Sequence, residues 1–180
     1  MRKLSMDELS RKTVDEFKDS RKIPVTIVLD NVRSMHNVGS IFRTADAFLV
    51  EQICLCGYTP QPPHRDIHKT ALGATETVNW AYYSSAIDCI GQLKNKGYSI
   101  LAVEQADGSE MLDKISGESL AGKIAVVFGN EVEGVQDEVL AKCDSAVEIP
   151  QYGTKHSLNV GVAAGIVLYT LSGWIKDKIH

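Results

Sequence analysis

Apolar and polar positions along this chain follow two periods. Val25–Leu29 is a continuous, mostly β-branched run, the pattern of a central strand in a parallel sheet. Gln52–Cys56, Ser99–Val103, Ile124–Phe128 and Ala146–Ile149 are further short runs that read as strands. Between them the spacing turns helical. Ser40–Phe48 places Ile41, Ala45 and Phe48 on one face, Ala86–Lys96 ends at Gly97, and Val135–Lys142 makes a shorter helix. Ala71–Ala74 and Val78–Tyr83 are too short for a firm assignment. Strands alternating with helices predict an α/β fold, a mostly parallel sheet flanked by helices.

Two stretches break the alternation. Residues 1–24 are charged throughout, with only Leu4, Leu9, Val14 and Phe17 as a weak apolar stripe. They read as a short helical extension lying on the surface, ahead of a single domain over residues 25–180. A solvated face is favoured there over an RNA contact. Residues 149–165 (IPQYGTKHSLNVGVAAG) run from a short apolar segment through a glycine-containing loop into a helix. From Val160 to Leu171 almost every position is apolar or small, so that helix is expected to be buried on nearly all sides. It is too short to span a bilayer, which takes about 20 apolar residues. Ser157 is the expected N-cap. Asn159 is the odd member, a full amide at the mouth of a buried helix where it must find partners.

Composition changes this picture little. A net charge of −4 over 180 residues excludes a global positive field, so any nucleic-acid site must be local. One local basic cluster exists: His64, Arg65, His68 and Lys69, in a loop over Gly57–Lys69 that holds three prolines. The N-terminal residues lack the apolar core of a signal peptide. The four cysteines form neither a C-x-x-C pair nor a zinc spacing. Reduced, buried thiols in a cytoplasmic protein are the expectation, with Cys54 and Cys56 on one strand face.

Ligands of such sheets sit at the carboxyl ends of strands. Three loops in that position carry the unusual polar residues. One holds Asn37 and Gly39 with Arg43 one turn into its helix, a second reads Gly129 to Gly134, and the third holds Ser157 and Asn159. No Ser-His-Asp arrangement, metal-ligand spacing or phosphate-binding glycine pattern accompanies them. An arginine, two amides, a hydroxyl and a carboxylate suit anion binding and substrate positioning, and suit hydrolysis poorly.

Three segments carry a resemblance. Residues 31–48 (NVRSMHNVGSIFRTADAF) resemble motif 1 of the SpoU-type RNA 2′-O-methyltransferases of the SPOUT superfamily. Residues 126–134 (VVFGNEVEG) resemble motif 2, and Ile149-Pro150 followed by Ser157–Val160 resembles motif 3. Order and spacing fit over roughly Val25 to Leu171, and three matches together are highly specific. The departures are Gln151, where many members have methionine, and Gly161, where serine often follows.

The resemblance implies a sheet whose C-terminal part forms a deep trefoil knot, a homodimer, S-adenosylmethionine as methyl donor and an RNA ribose 2′-hydroxyl as acceptor; from the spacing and helix length above, neither a metal nor a membrane is expected. It assigns catalysis and substrate orientation to Asn37, Arg43, Glu131, Ser157 and Asn159. Val103, Glu104, Gly129, Ile149 and Leu158 would cradle the donor. Arg33, His36, Arg65, Lys69 and Lys155 are expected at the RNA. Motif 1 is most similar to members that methylate a guanosine in the tRNA D-loop, which favours tRNA. A ribosomal RNA acceptor, base methylation and a non-catalytic RNA-binding module are the alternatives.

Overall fold

The computed structural model describes residues 1–5, 7–115 and 122–176. After a 3-10 turn at Asp7–Leu9 comes α1 (Val14–Asp19), whose Phe17 is buried in the main core, so the charged extension is anchored as well as solvated. The sheet is β1 (Ile23–Asp30), β2 (Val50–Cys56), β3 (Asn79–Tyr83), β4 (Tyr98–Val103), β5 (Glu110–Met111), β6 (Lys123–Phe128) and β7 (Ser145–Glu148). Its order is β3-β2-β1-β6-β4-β7-β5 and every pairing is parallel. The continuous apolar runs sit at the centre, as burial on both faces requires: β1 and β6 have no exposed residue between Val25 and Asp30 or between Ile124 and Phe128. Two strands join those expected. Asn79–Tyr83 is an edge strand, and Glu110–Met111 makes a two-residue pairing with β7.

Helices cover both faces. Ile27, Leu29, Ile53 and Leu55 turn to one side, against α2 (Met35–Ala47) and α7 (Val160–Lys176). Val28, Cys54 and Cys56 turn to the other, against α5 (Ala86–Asn95) and α6 (Asp137–Leu140). The period of two along each strand produces this division. All four cysteines are free thiols, and Cys54, Cys56 and Cys89 are fully buried. Burial pushes the Cys143 thiol up to about 11, so it stays protonated at neutral pH.

Four expectations are corrected. Helix α2 begins at Met35 rather than Ser40, because Ser34 caps it by accepting the Asn37 N–H at 3.3 Å. Asn37 and Gly39 therefore lie in its first turns, not in a loop. The expected loop over Gly57–Lys69 contains the start of a helix, α3 (Arg65–Ala71), which buries Ile67 and Ala71 at helical spacing. It lies directly on α2. A Cβ on Gly39 would stand 2.3 Å from the Ile67 carbonyl oxygen, so only glycine permits that approach. A further turn, α4 (Ala74–Thr77), follows.

The cap of α7 is Asn159, not Ser157: its Oδ1 accepts the Gly161 N–H at 2.9 Å and the Val162 N–H at 3.3 Å. Lastly, α7 is not buried all round. Ala164, Val167, Leu168 and Leu171 are fully buried, whereas Val162, Ile166 and Tyr169, at i, i+4 and i+7, are 53%, 37% and 71% exposed.

Candidate active site

Register brings the functional loops together. Leu29 pairs with Phe128, Phe128 with Val103, and Val103 with Val147. The segments that follow β1, β6, β4 and β7 therefore leave the sheet side by side. Those after β6, β4 and β7, with the first turn of α7, line a cavity of about 430 Å³.

The loop after β6 is folded on itself. Asn130 and Gly134 exchange two main-chain hydrogen bonds of 2.9 Å, and Asn130 Oδ1 accepts the N–H of Val132 at 2.8 Å. Gly129 has no room for a side chain, since a Cβ there would meet the main chain of Gly134 and Val135 within 2.2 Å. This tight turn points Glu131 at the loop after β1. The Glu131 carboxylate accepts the N–H of Arg33 at 2.9 Å, the N–H of Ser34 at 3.0 Å and the Asn37 side-chain amide at 2.9 Å. Burial pushes its pKa up, but the Arg33, Asn37 and Ser34 donors together outweigh burial and hold it below the ordinary range. Asn37 Oδ1 in turn accepts from the Asn159 amide at 3.0 Å. Glu131, Asn37 and Asn159, one from each motif, thus form a continuous chain of side chains at the cavity mouth.

Helices α2 and α7 start at this chain and run on together, with Phe48 beyond the last turn of α2 meeting Tyr169 edge-to-face at 6.3 Å. Behind the site Asn130 Nδ2 donates to the Asn31 carbonyl at 2.9 Å, which ties the second loop to the first. Asn31 holds a left-handed φ of 55°, and its amide reaches Asp30 at 3.0 Å and Gln136 at 3.2 Å. Asp30 itself is buried, and burial raises its pKa, against the Gln136 main-chain donor.

The residues expected at the site divide into two groups. Val103, Glu104, Gly129, Ile149 and Leu158 all line the cavity, as do Glu131, Ser157 and Asn159. Ser157 makes no hydrogen bond among the described residues. Arg43 lies elsewhere. It is six positions beyond Asn37, about 9 Å along the helix and well around its circumference. Its side chain is exposed and has no hydrogen bond or ion pair among the described residues. The early start of α2 explains this, since it puts Arg43 more than two turns in. His36, Arg65 and Lys155 are also exposed, outside the cavity lining, and Lys69 pairs with Asp66 at 2.6 Å. Asn31, Asn130 and Gln105, which fix the loops, were not singled out from the sequence. The Asn130 position alone carried a signal, as an Asx residue in a glycine-bounded turn.

This geometry meets the sequence at its motifs. Residues 24–169 match the SpoU rRNA Methylase family, and the chain belongs to it. It is 30% identical to the 23S rRNA (guanosine-2′-O-)-methyltransferase RlmB of Neisseria meningitidis over 86% of this chain and 60% of that protein. It is 30% identical to the tRNA (guanosine(18)-2′-O)-methyltransferase of Thermus thermophilus, over 90% of this chain and 81% of the relative. Among solved structures it is similar to the AdoMet-bound rRNA methyltransferase from Sinorhizobium meliloti, with a TM-score of 0.77 and 28% identity over 86% of this chain and 59% of that one. The chain thus spans less than two thirds of the rRNA relative from Neisseria.

Proposed function

We propose that this protein transfers a methyl group from S-adenosylmethionine to a ribose 2′-hydroxyl of RNA, with a guanosine of tRNA as the favoured acceptor. The observation that carries the reading is the Glu131–Asn37–Asn159 chain at the mouth of the cavity. The cavity fits the donor. Val103, Phe128, Ile149, Leu158 and Ala163 give it apolar walls for an adenine, and among the described residues its formally charged side chains are Glu104, Glu131, Glu133 and Glu148. An acidic lining favours a cationic ligand. When bound, S-adenosylmethionine supplies an electrophilic methyl on a sulfonium. The chain itself contributes position and electrostatics. Glu131 fixes the Asn37 amide, Asn37 fixes Asn159, and Ser157 offers a hydroxyl at the same mouth. The Arg43 guanidinium, a permanent cation, serves as a ligand for the acceptor's phosphate and developing alkoxide rather than as a base.

A homodimer belongs to this reading. The exposed stripe Val162, Ile166, Tyr169 on α7 lies beside Phe48 of α2, and an apolar face of that kind suits burial against a second copy. The trefoil knot, at the passage of residues 149–159 from β7 to α7, is proposed on family grounds. A cytoplasmic location accords with four free thiols. Among the described residues no helix is long and apolar enough to cross a membrane.

The test is methyl transfer to bulk tRNA and to ribosomal RNA with labelled donor, followed by digestion to nucleosides. A 2′-O-methylated nucleoside from tRNA is the expected product. A methylated base with an unmodified ribose, or no transfer and no donor binding, refutes the proposal. For the dimer, sedimentation of the wild type at micromolar concentration shows two chains, and Ile166→Asp gives one.

A further inference from the structure

The cavity has one wall with little structure of its own. Residues 150–158 connect β7 to the cap of α7, and Tyr152 to Leu158 are all exposed. Among the described residues this stretch makes a single hydrogen bond, in which Gln105 Nε2 donates to the His156 carbonyl at 3.0 Å. Yet Gln151, His156, Ser157 and Leu158 all line the cavity. Gln105 follows Val103 and Glu104 at the end of β4, on the stable side of the same cavity. Its neighbour Glu104 is fixed in turn. One carboxylate oxygen accepts the Val135 N–H at 2.8 Å, the other the Gln105 N–H at 2.9 Å. The dipeptide Glu104-Gln105 therefore links the rigid turn after β6 to the loop after β7, across the space between them.

We propose that Gln105 is a positioning residue that sets the width of the donor cavity by clasping the loop 150–158 in place. The proposal rests on the reading of that cavity as the donor site. A cradle made of main chain recognises its ligand only while its walls keep their spacing. A wall held at one point loses its preorganisation when that point is cut, and the ordering cost then falls on binding. The same cut leaves Glu131, Asn37 and Asn159 in place, because their bonds do not pass through Gln105. Ser157 is loosened with the loop, but saturating donor packs against that wall and restores its place, so donor affinity and turnover at saturation are separable.

Gln105→Met and Gln105→Ala provide the test. The first keeps the side chain's length and neutrality but removes the N–H donor, and the second removes both. Gln105 is exposed, so both variants fold and their thermal midpoints stay at that of the wild type. Trypsin reads the loop directly, because the exposed Lys155 precedes the clasped His156. Both variants are expected to be cut faster at Lys155, with cutting at Lys69 on α3 unchanged. Calorimetry with S-adenosylmethionine should show binding weaker by about tenfold, while the maximal rate at saturating donor stays within about twofold. Unchanged cutting at Lys155 overturns the clasp. So does faster cutting with unaltered donor affinity, or a lowered maximal rate with unaltered affinity. A wild-type chain that gives no binding heat overturns the donor reading itself, and the proposal with it, a result distinguishable from the others because it appears before any substitution.

Discussion

On one side of the Glu131–Asn37–Asn159 chain, each loop is tied to another. Asn130 bonds Asn31, Glu104 bonds Val135, and Gln105 bonds His156, all through main-chain partners. Away from those ties Arg33, His36, Arg43, Arg65 and Lys155 extend exposed side chains. Of the proposed RNA contacts, only Lys69 has an ion-pair partner among the described residues. The difference follows from what each side would hold. A small ligand of fixed shape is best met by preorganised backbone, and each tie there lowers the cost of binding. A large polyanion is met by long, solvated cations whose contribution is electrostatic and additive. Substitutions on the two sides should accordingly separate donor affinity from RNA affinity and from rate.

The largest effect is expected at Arg43. Replacing it with alanine removes the cation assigned to the acceptor's phosphate and developing alkoxide, and loss of one group that stabilises transition-state charge typically lowers the rate by about 100- to 1,000-fold. Donor affinity should stay at the wild-type value, because Arg43 is outside the cavity lining. Lysine should not restore the rate, since it lacks the planar fork. Single-turnover rates at saturating donor decide the matter. A variant that keeps more than about a tenth of the wild-type rate, a difference of about 1.4 kcal/mol, shows that Arg43 is only a solvated residue on a helix face.

Glu131→Gln probes the boundary between the two sides. The carboxylate accepts three hydrogen bonds, from Arg33, Ser34 and Asn37. A glutamine keeps one acceptor oxygen and turns an N–H₂ toward either the Arg33 donor or the Ser34 and Asn37 donors, and its remaining bonds lose their charge, so the anchor of Asn37, and with it the orientation of Asn159, is weakened. A rate loss of about 10- to 100-fold is expected, with donor affinity changed by less than about threefold. The pH dependence has a definite sign. The folded pKa of Glu131 is depressed, so its contribution is fully present above the ordinary value of 4.5 and is lost only as pH falls below it, through the folded pKa. Wild-type activity limited by Glu131 should therefore be flat from pH 8 down to about 5. A loss centred near pH 6 implicates another group.

The legible parts of the molecule are those that a local pattern dictates. The strands were readable because β1 and β6 are buried on both faces and their sequences are continuous apolar runs. Many cavity-lining residues were readable through motifs 2 and 3, whose glycines and apolar positions supply much of the main-chain wall. The start of α2 was hidden because His36 and Asn37 interrupt the apolar spacing of its first turn, although its cap Ser34 was in view. Helix α3 was hidden by the prolines before it, and packing on Gly39 helps hold it. The ties Asn130 to Asn31 and Gln105 to His156 join residues 99 and 51 positions apart. No periodicity encodes such a bond, because each is a side chain finding a carbonyl that only the finished sheet brings near.

The smallest effect should come from the Lys69–Asp66 ion pair on α3. Lys69 and Asp66 sit at i and i−3 on α3, with their side chains 51% and 36% exposed. An exposed pair of this kind is worth less than about 1 kcal/mol to folding, so neither Lys69→Ala nor Asp66→Ala should move the thermal midpoint by more than a few degrees. Their effects on RNA should have opposite signs. Lys69→Ala removes one phosphate partner. It should weaken RNA binding several-fold, equally for all sequences, and lower the slope of log affinity against log salt by about one. Asp66→Ala releases the Lys69 ammonium from its carboxylate, and should tighten RNA binding slightly at low salt with the slope kept or raised. Neither substitution should change donor affinity, because α3 contributes nothing to the cavity lining. Filter binding of tRNA across a salt series measures all of this. Equal weakening by both substitutions, or an unaltered salt slope in Lys69→Ala, shows that the pair serves only α3 and that RNA is held elsewhere.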